Sequence, residues 1–208
     1  MRMAFGALGA LLLFASPATG QNRVLPAVLA VMEHVNTPGS DYSVVRALHV
    51  TGEGQDVEWV GAEYRRGPLR RTEFGPHREI ENCVTGERSY YDSSSNIVRT
   101  DRNIPAGCYL PGLELLNSSR ILPKLTGPWG RADVIEVAGP NIASRYVVTE
   151  DGILVAYANR PRNPGPGRTI RTVRVVLTRG TPDAAMFEPA SLMHAVAQPL
   201  PRSAPRAP

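Results

Sequence analysis

The sequence predicts an α+β fold: one curved antiparallel β-sheet (a half-barrel), with an N-terminal helix and a central helical insertion against one face. Three observations predict it. Apolar residues recur at helical spacing near the start of the chain, short strand-like segments separated by turn residues fill most of the rest, and the lack of helices between strands excludes parallel βαβ units. The 208 residues carry a net charge of +4 and are 42% hydrophobic, which is typical of a soluble globular domain and not of a disordered or nucleic-acid-binding chain.

The helix is predicted over Leu25–Asn36, because its apolar residues fall on one helical face before Pro38 and Gly39 end the pattern. The strands are predicted where short segments are bounded by Gly, Pro, Asp, Ser or Asn. They are Tyr42–Gly52, Val57–Arg66, Leu69–Phe74, Arg78–Val84, Arg88–Asp92, Ile97–Asp101, Arg131–Ala138, Ile142–Thr149, Ile153–Ala158 and Thr169–Arg179.

The central insertion is predicted over Pro105–Gly130, where leucine-rich stretches interrupted by Pro111, Pro123 and Pro128 indicate one or two short helices. A curved sheet covered by helices encloses an apolar hollow. That hollow is either a packed core or a cavity open to a hydrophobic ligand, and both alternatives stand at this point.

Residues 1–20 have the pattern of a secretory signal peptide: Arg2 is followed by the apolar run Ala4–Ala15 and then by the small residues of Ser16–Gly20. The run is shorter than the ~20 apolar residues of a membrane-spanning helix, so we expect cleavage, after Ala18 or Gly20. We expect one β-rich domain over residues 21–197, a disordered Pro-rich tail over residues 198–208, and a periplasmic location with no transmembrane segment after cleavage.

The two cysteines, Cys83 and Cys108, are predicted to form a disulfide, because an exported chain meets oxidising conditions and no third cysteine competes. Two buried thiols are the alternative. A lipoprotein signal requires a cysteine directly after the apolar run, where the lipid is attached. Neither cysteine lies there, so a lipid anchor is not expected. Their spacing is not that of a Cys-x-x-Cys redox pair, so the predicted role is structural.

Three patches resemble the periplasmic outer-membrane lipoprotein carrier (LolA-like) family: Cys83–Thr100, Tyr146–Tyr157 and Pro182–Pro189. The first matches the family's Thr/Asp-Gly and Tyr-Asp hairpin but is one residue shorter, the second its late hairpin, and the third its Asp-x-x-x-Phe-x-x-Pro ending. The resemblance implies a half-barrel lidded by helices, whose apolar face binds lipoprotein acyl chains or related lipids without catalysis. Proteins of this fold also act as envelope-stress sensors.

The sequence offers no catalytic residue, metal site or cofactor site. His34, His49, His77 and His194 have no partner at ligand spacing, and no Gly-x-Ser-x-Gly motif is present. Glu79 and Glu81 share a face of a predicted strand, but charged residues on an exposed sheet face explain that pair better than acid–base chemistry does.

Five arginines flank the predicted turn at Gly67-Pro68 and form a possible patch for an anionic partner, although a solvated rim is the more frequent outcome. They are Arg65, Arg66, Arg70, Arg71 and Arg78. Export and the lack of interleaved aromatic residues argue against nucleic acid as that partner.

The leading prediction is therefore a soluble periplasmic protein, not an enzyme, that binds a lipoprotein acyl chain or another lipid. The alternative is an envelope regulatory or protein-interaction module that docks an envelope protein through the Arg-rich hairpin.

Overall fold

The computed structural model describes residues 25–102, 108, 118–162 and 167–208, so the predicted signal peptide lies outside the described residues. The helix α1 spans Pro26–Asn36. The strands are β1 (Tyr42–Gly52), β2 (Gln55–Arg66), β3 (Leu69–Phe74), β4 (His77–Asn82), β5 (Arg88–Asp92), β6 (Ile97–Asp101), β7 (Ser118–Gly127), β8 (Gly130–Ala138), β9 (Ile142–Thr149), β10 (Leu154–Pro161) and β11 (Thr169–Arg179). Two 3-10 helices follow, Ala184–Phe187 and Pro189–Met193.

The strands form one curved, unclosed antiparallel sheet in the order β6-β5-β4-β3-β2-β1-β11-β10-β9-β8-β7. The predicted curved sheet and N-terminal helix are thus confirmed. Two meanders, β1–β6 and β7–β11, meet where β1 pairs with β11. The first and last strands of the chain are therefore neighbours at the centre of the sheet.

Helix α1 lies on β8, β9 and β10, where Val28, Met32 and Val35 are buried against sheet residues that include Ile135 and Val148. The spacing of these three side chains places them on one helical face. Pro26 is favoured at the helix start because the first turn does not need its missing N–H.

The predicted central helical insertion is wrong over Ser118–Gly127, which forms the edge strand β7. Pro123 suggested a helix boundary, but an edge strand tolerates proline because one side of it has no neighbour. The register with β8 also shifts between Leu122 and Leu125, so Pro123 lies in a bulge and is not required to donate a ladder hydrogen bond. The remainder of the predicted insertion, residues 105–107 and 109–117, lies outside the described residues.

The sheet opens between β10 and β11. These strands pair only at Ala158 with Arg171 and at Asn159 with Ile170. Next to this short ladder, the Thr172 hydroxyl accepts a hydrogen bond from the Tyr157 N–H at 3.0 Å, a bond between a side chain and the backbone. We call the opening between β10 and residues 172–179 of β11 the seam.

The C-terminal tail, for which the sequence predicts disorder, lies in the seam and is hydrogen-bonded to β11. The Val175 N–H donates to the Pro205 carbonyl, and the Ala207 N–H donates to the Val173 carbonyl, each at 3.0 Å. Ala204 is buried beside these bonds. The tail is held because β11 has backbone groups here that β10 leaves unpaired, and buried backbone groups need hydrogen-bond partners.

The turn between β9 and β10 contacts the end of α1. Gly152 has φ +81°, and a Cβ there would lie 2.4 Å from the His34 carbonyl oxygen. Glycine is therefore required both for its left-handed conformation and for the close approach. The Thr149 N–H donates to the Ile153 carbonyl at 2.9 Å and closes a three-residue loop, residues 150–152, between the two strands.

Candidate functional site

A cleft of about 1200 Å³ lies along β7–β11 at the seam, and the docked tail forms part of its wall. Its floor is made of short side chains. Ala138 of β8 is opposite Ala143 of β9, while Ala156 and Ala158 lie two residues apart on β10 and share a face. The four alanines on three neighbouring strands leave this part of the sheet surface recessed, with Arg160 paired beside Ala143 and Arg145 paired beside Ala158.

A row of charged side chains crosses the cleft. Register places Arg120, Glu136, Arg145, Ala158 and Arg171 in line on five consecutive strands. Since directly paired residues of an antiparallel sheet share a face, their side chains lie on the same surface as the alanine floor.

Glu136 is shared by the two arginines beside it. The Nε atom of Arg120 donates to one carboxylate oxygen at 2.6 Å, and the Nε atom of Arg145 donates to the other at 2.8 Å. Partial burial opposes ionisation of Glu136, but these hydrogen bonds prevail and lower its pKa. The carboxylate is therefore engaged by two guanidinium groups already.

Three further arginines of the cleft, Arg160, Arg171 and Arg206, have no carboxylate at ion-pair distance within the part of the chain that the structure describes. The Nη2 atom of Arg171 is 3.5 Å from Nδ1 of His49, whose Nε2 is 2.6 Å from a carboxylate oxygen of Asp56. His49 therefore contacts the Arg171 guanidinium through one ring nitrogen and the Asp56 carboxylate through the other.

The cleft as a whole is electropositive. Its lining contains one carboxylate side chain, that of Glu136, and six arginines: Arg120, Arg145, Arg160, Arg162, Arg171 and Arg206. Arg162 donates to the Gly139 carbonyl, a neutral group that does not neutralise the charge of the guanidinium. An apolar floor with a cationic border suits a ligand that has both an apolar and an anionic part.

The five arginines predicted as an anionic-partner patch do not form one exposed patch. Strand register places Arg65 and Arg70 on one face of the sheet and Arg66, Arg71 and Arg78 on the other. All five are buried or partly buried. Their role in docking an anionic partner stays a prediction, and such docking would have to compete with the internal contacts described next.

On one face, Arg65 and Arg70 contact groups of their own sheet. Nη1 of Arg65 donates to Sγ of Cys83 at 2.7 Å. Arg70 lies 3.3 Å from a carboxylate oxygen of Glu63 and 3.9 Å from one of Glu81. Both arginines therefore make their polar contacts within this part of the protein and not with solvent-exposed groups on its surface.

On the other face, the arginines hold the C-terminal segment against the sheet. Arg71 is fully buried, pairs with Glu73 at 2.8 Å, and donates to the carbonyls of Met186 and His194 at 2.7 and 2.9 Å. Arg78 donates to the Leu192 carbonyl at 2.7 Å. Arg66 similarly donates to the carbonyl of Pro182 at 2.8 Å.

A buried ionic cluster joins β1, β2 and β3. The Tyr42 hydroxyl donates to Glu63, which also pairs with Arg70 and, at 4.0 Å, with Arg46. Burial alone would raise the pKa of Glu63, but the Arg70 and Arg46 charges and the Tyr42 hydrogen bond lower it to about 2. Burial and the neighbouring Glu63 charge raise the pKa of Tyr42 well above its ordinary value.

Arg46 also connects the two meanders: its Nε atom donates to the Val155 carbonyl at 3.1 Å, at the start of β10. The ionic cluster therefore connects β1 to β10 across the seam.

Cys83 and Cys108 form the predicted disulfide, with their Cα atoms 4.9 Å apart. Glu79 is paired with Arg88 at 3.1 Å, and Glu81 lies 3.9 Å from Arg70, so each of these two carboxylates faces its own arginine. Within the described ranges, His, Cys, Asp and Glu form no group that could hold a metal ion. No helix in those ranges is long and apolar enough to cross a membrane.

The cleft itself was not predicted from the sequence. Its visible signal is the period-two pattern Ala156, Ala158, Arg160, which places two small residues and a charge on one face of a strand. A small residue indicates a hollow only when the residues beside it on neighbouring strands are also known. Those neighbours are given by the strand register in the structure.

Neither a protein-family model nor a curated protein sequence matches the chain. Among solved structures, an uncharacterized conserved protein from Thermus thermophilus is similar, with 13% identity and a TM-score of 0.49 over 86% of this chain and 97% of that one. A putative outer membrane lipoprotein-sorting protein domain from Vibrio parahaemolyticus has 9% identity and a TM-score of 0.41, over 81% of this chain and 97% of its own.

A LolA superfamily protein from Nitrosomonas europaea has 8% identity and a TM-score of 0.37, over 77% of this chain and 96% of its own.

Proposed function

We propose that this protein is an exported, periplasmic binding protein that holds the acyl chain of a lipid or lipoprotein in the cleft at the seam, without catalysing a reaction. The observation that carries the proposal is the cleft of about 1200 Å³ with its alanine floor. Ligand sites of proteins typically enclose roughly 300–1,000 Å³ and combine apolar walls with a few polar groups, so this volume is sufficient for a long acyl chain.

Burial of the chain would supply the affinity. Transfer of apolar surface from water contributes about 25 cal/mol per Å², and the alanine floor offers an apolar surface without bulky side chains that would have to move. The polar backbone of the floor is already paired within the β8–β9 and β9–β10 ladders, so an acyl chain placed on it leaves no strand hydrogen bond broken.

Three observations on the sequence support the proposal. Residues 1–20 have the pattern of an export signal, the Cys83–Cys108 disulfide suits an oxidising compartment, and three patches in order along the chain resemble the lipoprotein carrier family. These three features support the periplasm as the proposed location.

The test is saturable binding of a fluorescent fatty acyl probe to the mature chain, compared with a variant whose floor is filled. Ala143→Phe combined with Ala158→Phe places two aromatic rings in the cleft, and we expect at least tenfold weaker binding because the ligand's volume is taken. Ala190→Phe, at an exposed position outside the cleft lining, is the matched control and should bind like the unaltered protein.

Absence of saturable binding to the unaltered protein would refute the proposal. Equal binding by the unaltered protein and the filled variant would refute the assignment to this cleft. Unchanged denaturation curves of the variants confirm that the comparison is made between folded proteins.

A further inference from the structure

We propose that the cleft selects lipids with an anionic headgroup, and that Arg160, Arg171 and Arg206 bind that headgroup. This inference rests on the proposed function, because it concerns the polar end of the same ligand. It names the class of lipid: one acyl chain attached to a phosphate or carboxylate.

The first step is the charge left over in the cleft. Arg120 and Arg145 share Glu136, which neutralises part of the row. Among the residues that the structure describes, Arg160 and Arg206 have no ion pair, and the contact of Arg171 to His49 supplies no negative charge. Arginine remains protonated at any physiological pH, so these three exposed guanidinium groups keep a positive charge beside the apolar floor.

The second step is the placement of these groups. Arg171 is paired with Ala158, and Arg160 is two residues farther along the same strand, so the two arginines are diagonal neighbours on one face. Diagonal neighbours in an antiparallel sheet are about 7–8 Å apart at their Cα atoms, a separation that two long side chains span to reach a single phosphate or carboxylate. Ala158 lies beside both arginines, paired with Arg171 and two residues before Arg160, and its short side chain leaves space for that group.

The third step concerns the tail. Arg206 is paired with Arg174 of β11 in an isolated bridge, so the tail brings a third guanidinium to the same cleft. Arg174 itself is paired with Glu58, which leaves Arg206 as the free charge of the two. A headgroup held from both the sheet and the tail would also hold the tail in the seam.

Position favours a lipid over a free anion. The charged row crosses the alanine floor at Ala158, so a headgroup held by Arg160 and Arg171 lies next to short apolar side chains on which its acyl chain can rest. Arginine binds phosphate and carboxylate through two parallel N–H donors, and such charge-assisted bonds are about twice as strong as neutral ones. A free phosphate would use the arginines and leave the apolar floor empty.

The experiment compares two lipids that differ only in the phosphate. Myristoyl lysophosphatidate and monomyristoylglycerol, each below its critical micelle concentration, are titrated into the mature protein by calorimetry, and inorganic phosphate is titrated as the third probe. The test variant combines Arg160→Gln, Arg171→Gln and Arg206→Gln. Arg131→Gln removes one exposed arginine that pairs with Glu150 elsewhere on the sheet and serves as the control.

We expect the unaltered protein and the control to bind lysophosphatidate at least tenfold more tightly than monomyristoylglycerol, and the triple variant to bind both equally. The preference should also shrink as salt is raised, because the headgroup arginines are reached by solvent ions.

Equal binding of both lipids by the unaltered protein would overturn the headgroup inference and leave the proposed function intact. Binding of neither lipid would overturn both. Binding of inorganic phosphate as tightly as lysophosphatidate would assign the arginines to a free anion and overturn the lipid selection.

Discussion

Replacing Glu63 by Gln removes the only carboxylate that contacts Tyr42, Arg46 and Arg70 together among the described residues. The side chain keeps its shape and loses its charge, so the buried Arg46 and the partly buried Arg70 lose their shared anion, and Arg70 retains only the more distant Glu81. Breaking a buried charge network from one side is strongly destabilising, because the remaining charge is left without compensation.

The structure gives a magnitude for this loss. The pKa of Glu63 falls from an ordinary value of 4.5 to about 2 in the folded protein. Each pKa unit corresponds to about 1.4 kcal/mol, so the ionised carboxylate stabilises the folded state by about 3 kcal/mol at neutral pH. We expect the free energy of unfolding of Glu63→Gln to be lower by at least that amount.

The pH dependence has a defined sign. Because the folded-state pKa is lowered, the stabilisation is fully present above about pH 4.5 and is lost as the pH falls towards about 2. The difference in stability between the unaltered protein and Glu63→Gln should therefore be large at pH 7 and shrink through this window. Other carboxylates with lowered pKa values, such as Asp151 at about 2, contribute equally to both proteins and cancel in the difference.

The assay is urea denaturation of both proteins at a series of pH values between 7 and 2.5, followed by tryptophan fluorescence. Glu150→Gln is the control: its exposed carboxylate pairs with Lys124 and Arg131, and an exposed pair contributes about 0–1 kcal/mol. Equal stability of Glu63→Gln and the unaltered protein at pH 7 would refute the reasoning, as would a difference that does not change with pH.

Three more predictions concern stability. Cys83→Ala opens a loop of 25 residues and should cost about 3 kcal/mol in denaturation; recovery of two free thiols from the oxidised native protein would contradict the disulfide. Arg71→Met leaves Glu73 without its buried partner and should cost about 3–5 kcal/mol, much of which the added change Glu73→Leu should restore; a double variant no more stable than the single one would contradict this. Ala204→Glu should detach the tail and speed hydrogen exchange of the Val175 amide, which donates to the tail; unchanged exchange would contradict the docked tail.

The strands were largely predictable because their boundaries depend on local chemistry. The predicted bounds of Tyr42–Gly52, Leu69–Phe74, Ile97–Asp101 and Thr169–Arg179 agree with the structure. Each segment is bounded by residues that favour turns, and turn preferences act over a few residues and need no knowledge of the fold. The order of strands in the sheet could not be derived in this way, because pairing joins segments that are far apart in the chain.

Strand β7 was not predicted because the spacing of its apolar residues fits both a helix and a strand. Ile121, Leu122 and Leu125 are spaced as on a helix, and Pro123 fits a helix boundary as well as an edge-strand bulge. The pairing with β8, which no local pattern reveals, decides between them.

The arginine-rich hairpin shows a different limit of local evidence. Alternation along β3 indicates that Arg70 and Arg71 face opposite sides, but only the packed C-terminal segment shows that the side of Arg71 is covered. The disulfide, by contrast, could be predicted from residue types alone. Predicting the cleft required the register of five strands, β7–β11, and the position of the tail, and local sequence near the cleft arginines determines neither.

The position of β1 between β2 and β11 has a consequence for how the chain folds. Tyr42 is paired with Arg179, so closing the centre of the sheet brings together segments separated by most of the domain. Contacts of such long sequence separation slow folding, since the entropy of loop closure is lost before the contacts are gained. The two meanders can start to fold as local hairpins, but they join into one sheet only when β11 is available to pair with β1. A chain that crosses a membrane unfolded would therefore acquire its central pair last, once its final strand has arrived.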